Sequence, residues 1–266
     1  MQPKFIIQEV RLKIYVCVKH VPDSGATITV EEGNRIRENV TYLINPYDEH
    51  ALTEAVKLKA GIPDSEVVAV CLANEAAENT LRSAMAMGAD RSILVVTDQF
   101  CDSILTARAL NATISSDGSP TLVLAGKESI DSEGMQTHFR LAENLGAPAA
   151  SNAVKLDFEG DHVIAECERE AGTVDVIRMT TPCVVAVGKG INTPKYPTFP
   201  DIVKARKKEV KKISFDSLEI DIPSSGTTVI DLTPAIEDRS PKELTGSAPE
   251  IARQVVKILK DEAKII

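Results

Sequence analysis

The chain has 266 residues, 43% hydrophobic and 26% charged, which suits one large globular domain or one domain plus an extension. A net charge of −9 and 4% aromatics, with no tryptophan, argue against wrapping duplex nucleic acid or stacking single-stranded bases. No apolar run approaches the ~18 residues that cross a bilayer, and the opening MQPKFIIQEVRL is too short and too charged for a secretory signal; a cytoplasmic or matrix-like compartment is expected.

In chain order, LKIYVCVKHV (12–21) is apolar and β-branched on both faces, as a buried parallel strand should be. The tetrad Asn45-Pro46-Tyr47-Asp48 then punctuates, and 50–61 follows at helical spacing with Gly61 as its stop. Residues 65–73 read as a strand, 78–91 as a helix ending at Gly88, and 91–98 as a strand. A helix over 102–116 has Asp102 or Ser103 as its cap. The turn at 117–120 leads into the strand TLVLAG (121–126), and a helix over 135–146 is closed by Gly146 and Pro148. This alternation predicts an α/β fold, a doubly wound, mostly parallel sheet with right-handed crossovers. Residues 154–188 alternate instead, with turns at Gly160-Asp161 and Gly172, and predict two appended antiparallel strands before 182–187 returns to the core. Beyond Gly188, prolines 194, 197 and 200 forbid one regular element, and an amphipathic helix closes the chain at 250–266. The stretch 189–266 has too little apolar material for its own core, so it is expected to lie on something else, such as a second subunit.

In a wound sheet ligands sit at the carboxyl ends of the strands. Gly126 ends one strand, and 127–134 connects it to the next helix. A helix start offers unpaired N–H groups at the positive end of its dipole, so it binds phosphate without a lysine cluster. Ser129, Ser132, Gln136 and Thr137 add hydrogen bonds, and Gly134 permits close approach. The plainer reading is a capped loop, with Asp131 or Ser132 as the cap. There is no GxGxxG, no GxxxxGK[ST] and no GxSxG, and the four histidines lack metal spacing. The five cysteines form no CxxC pair, which disfavours a zinc site or a disulfide framework, and Cys17, Cys71 and Cys183 lie in apolar runs as small hydrophobes.

The segments KIYVCVKHVPD, INPYDEHALTEAVKLK, AMAMGADRSILV, LAGKESIDSEGMQT and INTPKYPTFPDIVKARKK occur in this order and at compatible spacing. Together they resemble the β subunit of electron transfer flavoprotein over residues 13–215. The resemblance implies a Rossmann-like fold of the adenine-nucleotide α-hydrolase type. It implies a heterodimer with an α subunit that carries most of an FAD, and an adenine nucleotide buried in this chain. That nucleotide is AMP in the single-carrier branch and a second FAD, reduced by NADH, in the bifurcating branch. By the same resemblance, Cys17 and Val18 would lie near the adenosine and Asn45 and Asp48 at the adenine or ribose edge. Ser129, Ser132, Met135, Gln136 and Thr137 would line the phosphate. Asp48 also suits a helix cap, and Cys17 suits core packing. His138 stands where the family has a small residue or proline, and Glu133-Gly134-Met135 replaces its usual pattern before Gln136.

Residues 189–212 gather eight basic side chains on an otherwise acidic protein. A solvated helix face is one reading. The resemblance implies a recognition loop for a flavoprotein dehydrogenase of the acyl-CoA type, anchored by Ile191 and flanked by Pro194, Tyr196, Lys204, Arg206 and Lys207, with a quinone oxidoreductase as possible acceptor. The expected organisation is an extension at 1–12, a nucleotide-binding domain at 13–190, a recognition loop and basic helix at 191–215, and an arm at 216–266 that packs on the α subunit. The expected role is an electron carrier without catalytic residues or metal. A stand-alone ATP-binding domain of the same fold and a purely structural interaction protein are the readings of another class.

Overall fold

A computed structural model describes residues 12–27, 29–31, 35–36, 40–221, 229–233 and 241–266. The chain runs β1 (Lys13–Cys17), β2 (His20–Pro22), β3 (Val30–Glu31), β4 (Arg35–Ile36), β5 (Tyr42–Ile44), α1 (Pro46–Ala60), β6 (Glu66–Ala73), α2 (Glu78–Met87), β7 (Arg91–Val96), α3 (Ser103–Asp117) and β8 (Leu122–Gly126). It continues through α4 (Thr137–Leu145), β9 (Ala149–Glu159), β10 (His162–Glu168), β11 (Val174–Thr180), β12 (Cys183–Val187), α5 (Phe199–Ala205), β13 (Val210–Ser214) and α6 (Ala248–Lys257). Nine strands form one sheet in the order β11-β10-β9-β12-β8-β1-β6-β7-β13. From β9 to β13 all neighbours are parallel, and β10 and β11 are antiparallel additions.

Successive strand residues point to opposite faces, so a parallel strand covered on both sides must be apolar throughout. Ile14 and Val16 join the core cluster that includes Leu52, Leu81 and Met85 of α1 and α2. Tyr15, between them, faces Leu110 and Ile114 of α3 and Leu141 of α4. The same alternation holds for Val67, Ala69 and Cys71 against Val68 and Val70 in β6. Asp102 caps α3, its carboxylate accepting from the N–H groups of Ile104 and Leu105. Gly146 closes α4 at φ +61°, a left-handed position that favours glycine.

Several elements differ from expectation in extent. Helix α1 starts at Pro46, because proline at the first helical turn sacrifices only an N–H that has no partner anyway. The appended antiparallel element is a meander of three strands: β9 begins at Ala149, pairs parallel with β12 and then antiparallel with β10, which pairs with β11. The basic run is not one helix. Lys204 lies on α5, Arg206 to Lys208 turn, and Lys211 and Lys212 lie on β13, which extends the main sheet beside β7. Phe215, just beyond it, is buried. Residues 1–11 of the expected extension lie outside the described residues, and Leu12 is part of the core. The terminal helix α6 leaves Val255 and Val256 exposed. Among the described residues no helix is long and apolar enough to cross a membrane.

Candidate functional site

The sheet changes direction beside β1. β6 and β7 follow on one side, β8 and β12 on the other. A crevice at such a switch point, outside the carboxyl ends of the strands, is where wound sheets hold ligands. Three segments meet there. Lys19 follows β1, Asn45 and Asp48 open α1, and the loop 127–136 follows β8. The Asp48 carboxylate accepts from the Lys19 N–H at 2.7 Å and from the Gly126 N–H at 2.8 Å. Asn45 bridges to the same loop, donating from Nδ2 to the Glu128 carbonyl and accepting from the Ile130 N–H. Asn45 and Asp48 therefore use their side chains to join β1, α1 and β8, and neither caps α1. Burial pushes the Asp48 carboxyl up to about 7, against the two N–H donors and the Lys19 charge. Gly126 is required by the same packing: a Cβ there would lie 2.6 Å from Asp48 Oδ1 and 2.8 Å from the Tyr47 carbonyl carbon.

Lys19 was not among the residues singled out from the sequence, yet its ammonium holds the loop. Nζ lies 2.7 Å from Asp131 Oδ1 and 3.1 Å from both Ser129 Oγ and Ser132 Oγ. Asp131 and Ser132 thus face Lys19, and no side chain caps α4, which begins after Gln136. Glu133 and Met135, flanking Gly134, adopt φ of +48° and +51°. Such conformations cost about 1–3 kcal/mol each and cluster at ligand clamps. A Cβ on Gly134 would meet nothing within 4 Å, so this part of the loop borders open space. Met135 and Gln136 are exposed, Gln136 Oε1 accepting from Arg140 at 2.7 Å, and Thr137 is the half-buried first residue of α4.

His138 is buried beside Leu141 and Ala142 on the inner side of α4, and its Nε2 is enclosed without a hydrogen-bond partner. Burial lowers its pKa to about 4 and keeps it neutral. Cys17 is half-buried at the end of β1, and burial, then Asp48, pushes its thiol up to about 12, which makes it inert at neutral pH. Val18 is buried and its N–H donates to the Val70 carbonyl. Among the described residues no cluster of histidine, cysteine or carboxylate side chains suits a metal ion.

The electron transfer flavoprotein domain matches residues 34–218, more than half of the chain. Proteins named electron transfer flavoprotein subunit beta align along nearly all of it. That of Bacillus subtilis is 33% identical over 96% of this chain and 100% of its own length. The mitochondrial protein of Arabidopsis thaliana is 32% identical over 96% and 100%. That of Bradyrhizobium diazoefficiens is 31% identical over 96% and 100%. The chain belongs to the electron transfer flavoprotein β-subunit family. In this β-subunit fold the sequence-derived site residues fall into two groups. Cys17, Val18, Asn45, Asp48, Gly126 and 129–137 converge on the switch point. The segment from Ile191 onward lies apart from them.

Ile191 sits in a short turn, half-buried and packed against the core. Tyr196 and Phe199, each 78% exposed, are the outward apolar groups of this segment, with Ile202 and Val203 behind them. Pro194 is half-buried, and Lys204, Arg206 and Lys207 are exposed. Tyr47, named from the sequence only as part of the punctuating tetrad, has the Nζ atoms of Lys127 and Lys189 5.5 and 4.9 Å from its ring centroid. The only local mark of Lys19 is a charged residue near the carboxyl end of the apolar run 12–21.

Proposed function

We propose that this chain is the β half of a heterodimeric electron carrier, with AMP in the switch-point crevice and an FAD held mainly by an α subunit. The observation that carries this reading is the Lys19-pinned loop beside an uncapped helix start. The residues present fit a nucleotide. The first N–H groups of α4 lack a side-chain cap, the loop opens at Gly134, and His138 Nε2 lacks a partner. Ser129, Ser132, Gln136 and Thr137 would hold the phosphate by hydrogen bonds, and Cys17 and Val18 would pack against the adenosine. Asn45 and Asp48 would shape the wall at the adenine or ribose side while keeping β1 and α1 in register.

The flavin, when bound, supplies one- and two-electron transfer. This chain's part is to cover one side of that cofactor, exclude water and present a docking surface. Tyr196 and Phe199, with Lys204, Arg206 and Lys207 beside them, suit brief contact with an acidic flavoprotein dehydrogenase of the acyl-CoA type. A quinone oxidoreductase or another acceptor in the cytoplasm would be the downstream partner of the loaded heterodimer.

The test is coexpression with the α subunit, denaturation of the purified complex, and counting of the released adenine compounds. One AMP and one FAD per dimer are expected. Two FAD with NADH oxidation would assign the bifurcating type instead, and a complex free of adenine compounds would overturn the reading.

A further inference from the structure

The exposed segment 193–204 hangs between two polar fixtures that belong to different helices. At its start, the Asn192 side chain reaches α1. Its Nδ2 donates to the His50 carbonyl and to Glu54 Oε2, both at 3.0 Å, and its Oδ1 lies 3.1 Å from His50 Nδ1. The Glu54 side chain is wholly enclosed, and its other oxygen accepts from Lys57 at 2.9 Å. A carboxylate removed from water demands such partners, so Asn192 is held where it is by the core and not by the loop it begins.

At the far end, Arg82 of α2 supplies what a helix terminus lacks. Its Nη1 donates to the carbonyls of Ala205, Arg206 and Lys208 at 3.4, 3.0 and 3.2 Å, the last acceptors of α5 and the turn after it. Its other nitrogens grip Glu78 Oε1 at 3.0 and 2.6 Å, so the guanidinium is itself fixed. Lys208 adds a bond from Nζ to the Ala89 carbonyl at 2.7 Å. Between the fixtures, Thr198 and Asp201 form a reciprocal capping box that starts α5. Three prolines stiffen the same stretch. The result is a short span whose aromatic side chains face outward with both ends anchored on the rigid body.

We infer that Asn192 and Arg82 are positioning residues for partner docking: they hold 193–204 in its binding conformation in advance, so association does not have to order it. This rests on the docking role proposed above. Pre-ordering acts on the association step, so its loss shows in KM and not in kcat.

The experiment uses the intact heterodimer carrying Asn192→Ala or Arg82→Met, with Arg82→Lys as the milder variant that keeps one donor. Amide exchange over 193–204 is followed by mass spectrometry. Electron uptake from a medium-chain acyl-CoA dehydrogenase reduced with octanoyl-CoA gives KM and kcat. Faster exchange confined to this segment, a KM raised on the order of tenfold, an unchanged kcat and unchanged nucleotide content are expected, with Arg82→Lys intermediate. Unchanged exchange, or faster exchange with an unchanged KM, would overturn the inference. A wild-type heterodimer that accepts no electrons from the dehydrogenase would overturn the docking reading, and the inference with it.

Discussion

The Lys19 ammonium holds the Asp131 carboxylate across the switch point, Nζ to Oδ1 at 2.7 Å. A residue two positions beyond β1 thereby fixes the loop that follows β8, the two parallel strands between which the strand order reverses. Lys19→Met keeps the aliphatic stem and removes three hydrogen bonds. The pair is partly solvated, so overall stability should move by less than about 1 kcal/mol. Bound adenine compound should fall severalfold, and amide exchange in 127–136 should quicken; unchanged content would show that the loop needs no such anchor.

Burial of His138 makes the fold sensitive to acid. Its pKa is lowered from 6.5 to about 4 by burial, so the folded state binds fewer protons than the unfolded chain. The associated stability is complete above about 6.5 and is lost as pH falls toward 4, by about 3 kcal/mol at full extent. His138→Leu should flatten the pH dependence of the urea midpoint in that window.

The opposite pole of the sheet carries a second acid-sensitive group. The Asp117 carboxylate accepts from Arg91 at 2.5 and 3.1 Å and from the Tyr15 hydroxyl at 2.8 Å, with Lys13 at 3.5 Å. Desolvation pushes this carboxyl up, but Arg91, Tyr15 and Lys13 together outweigh it and hold it well below the usual range. A depressed carboxyl contributes stability that is present above about 4 and is lost as pH falls below it. Asp117→Asn should cost about 2–3 kcal/mol at pH 7 in urea unfolding, and the difference from wild type should shrink in acid.

Gly126→Ala tests the packing beneath the site. The added methyl would strike the Tyr47 backbone and the Asp48 carboxylate, and overpacking of this kind costs about 1–3 kcal/mol. A lowered thermal midpoint with nucleotide loss is expected. A variant as stable as wild type would mean that α1 shifts freely over β8.

The strands of the core and helices α2 and α3 were legible because both signals are local. A strand covered on two faces is apolar throughout, and Asp102 and Gly88 mark helix ends by their own chemistry. The start of α4 was placed within two residues, but its lack of a side-chain cap was not legible. Asp131 and Ser132 look like caps from their neighbours in the chain, but a residue more than a hundred positions away claims them. The basic helix expected within 191–215 is only the short α5, for a similar reason. Residues 210–214 become a strand only because β7 leaves an edge to pair with.

Composition, apolar periodicity and the order of the motifs determined the wound α/β class, the family and the segment where a nucleotide is to be sought. Those properties reside in the covalent chain, since burial on two faces and turn chemistry leave their mark residue by residue. Only the tertiary structure decided that the sheet reverses beside β1, that Lys19 closes the loop, that His138 lies inside, and that Tyr196 and Phe199 rather than Ile191 face outward. Each of these depends on which distant segments become neighbours, and contact between them is paid for by loop closure and core packing, neither of which is written in any local stretch.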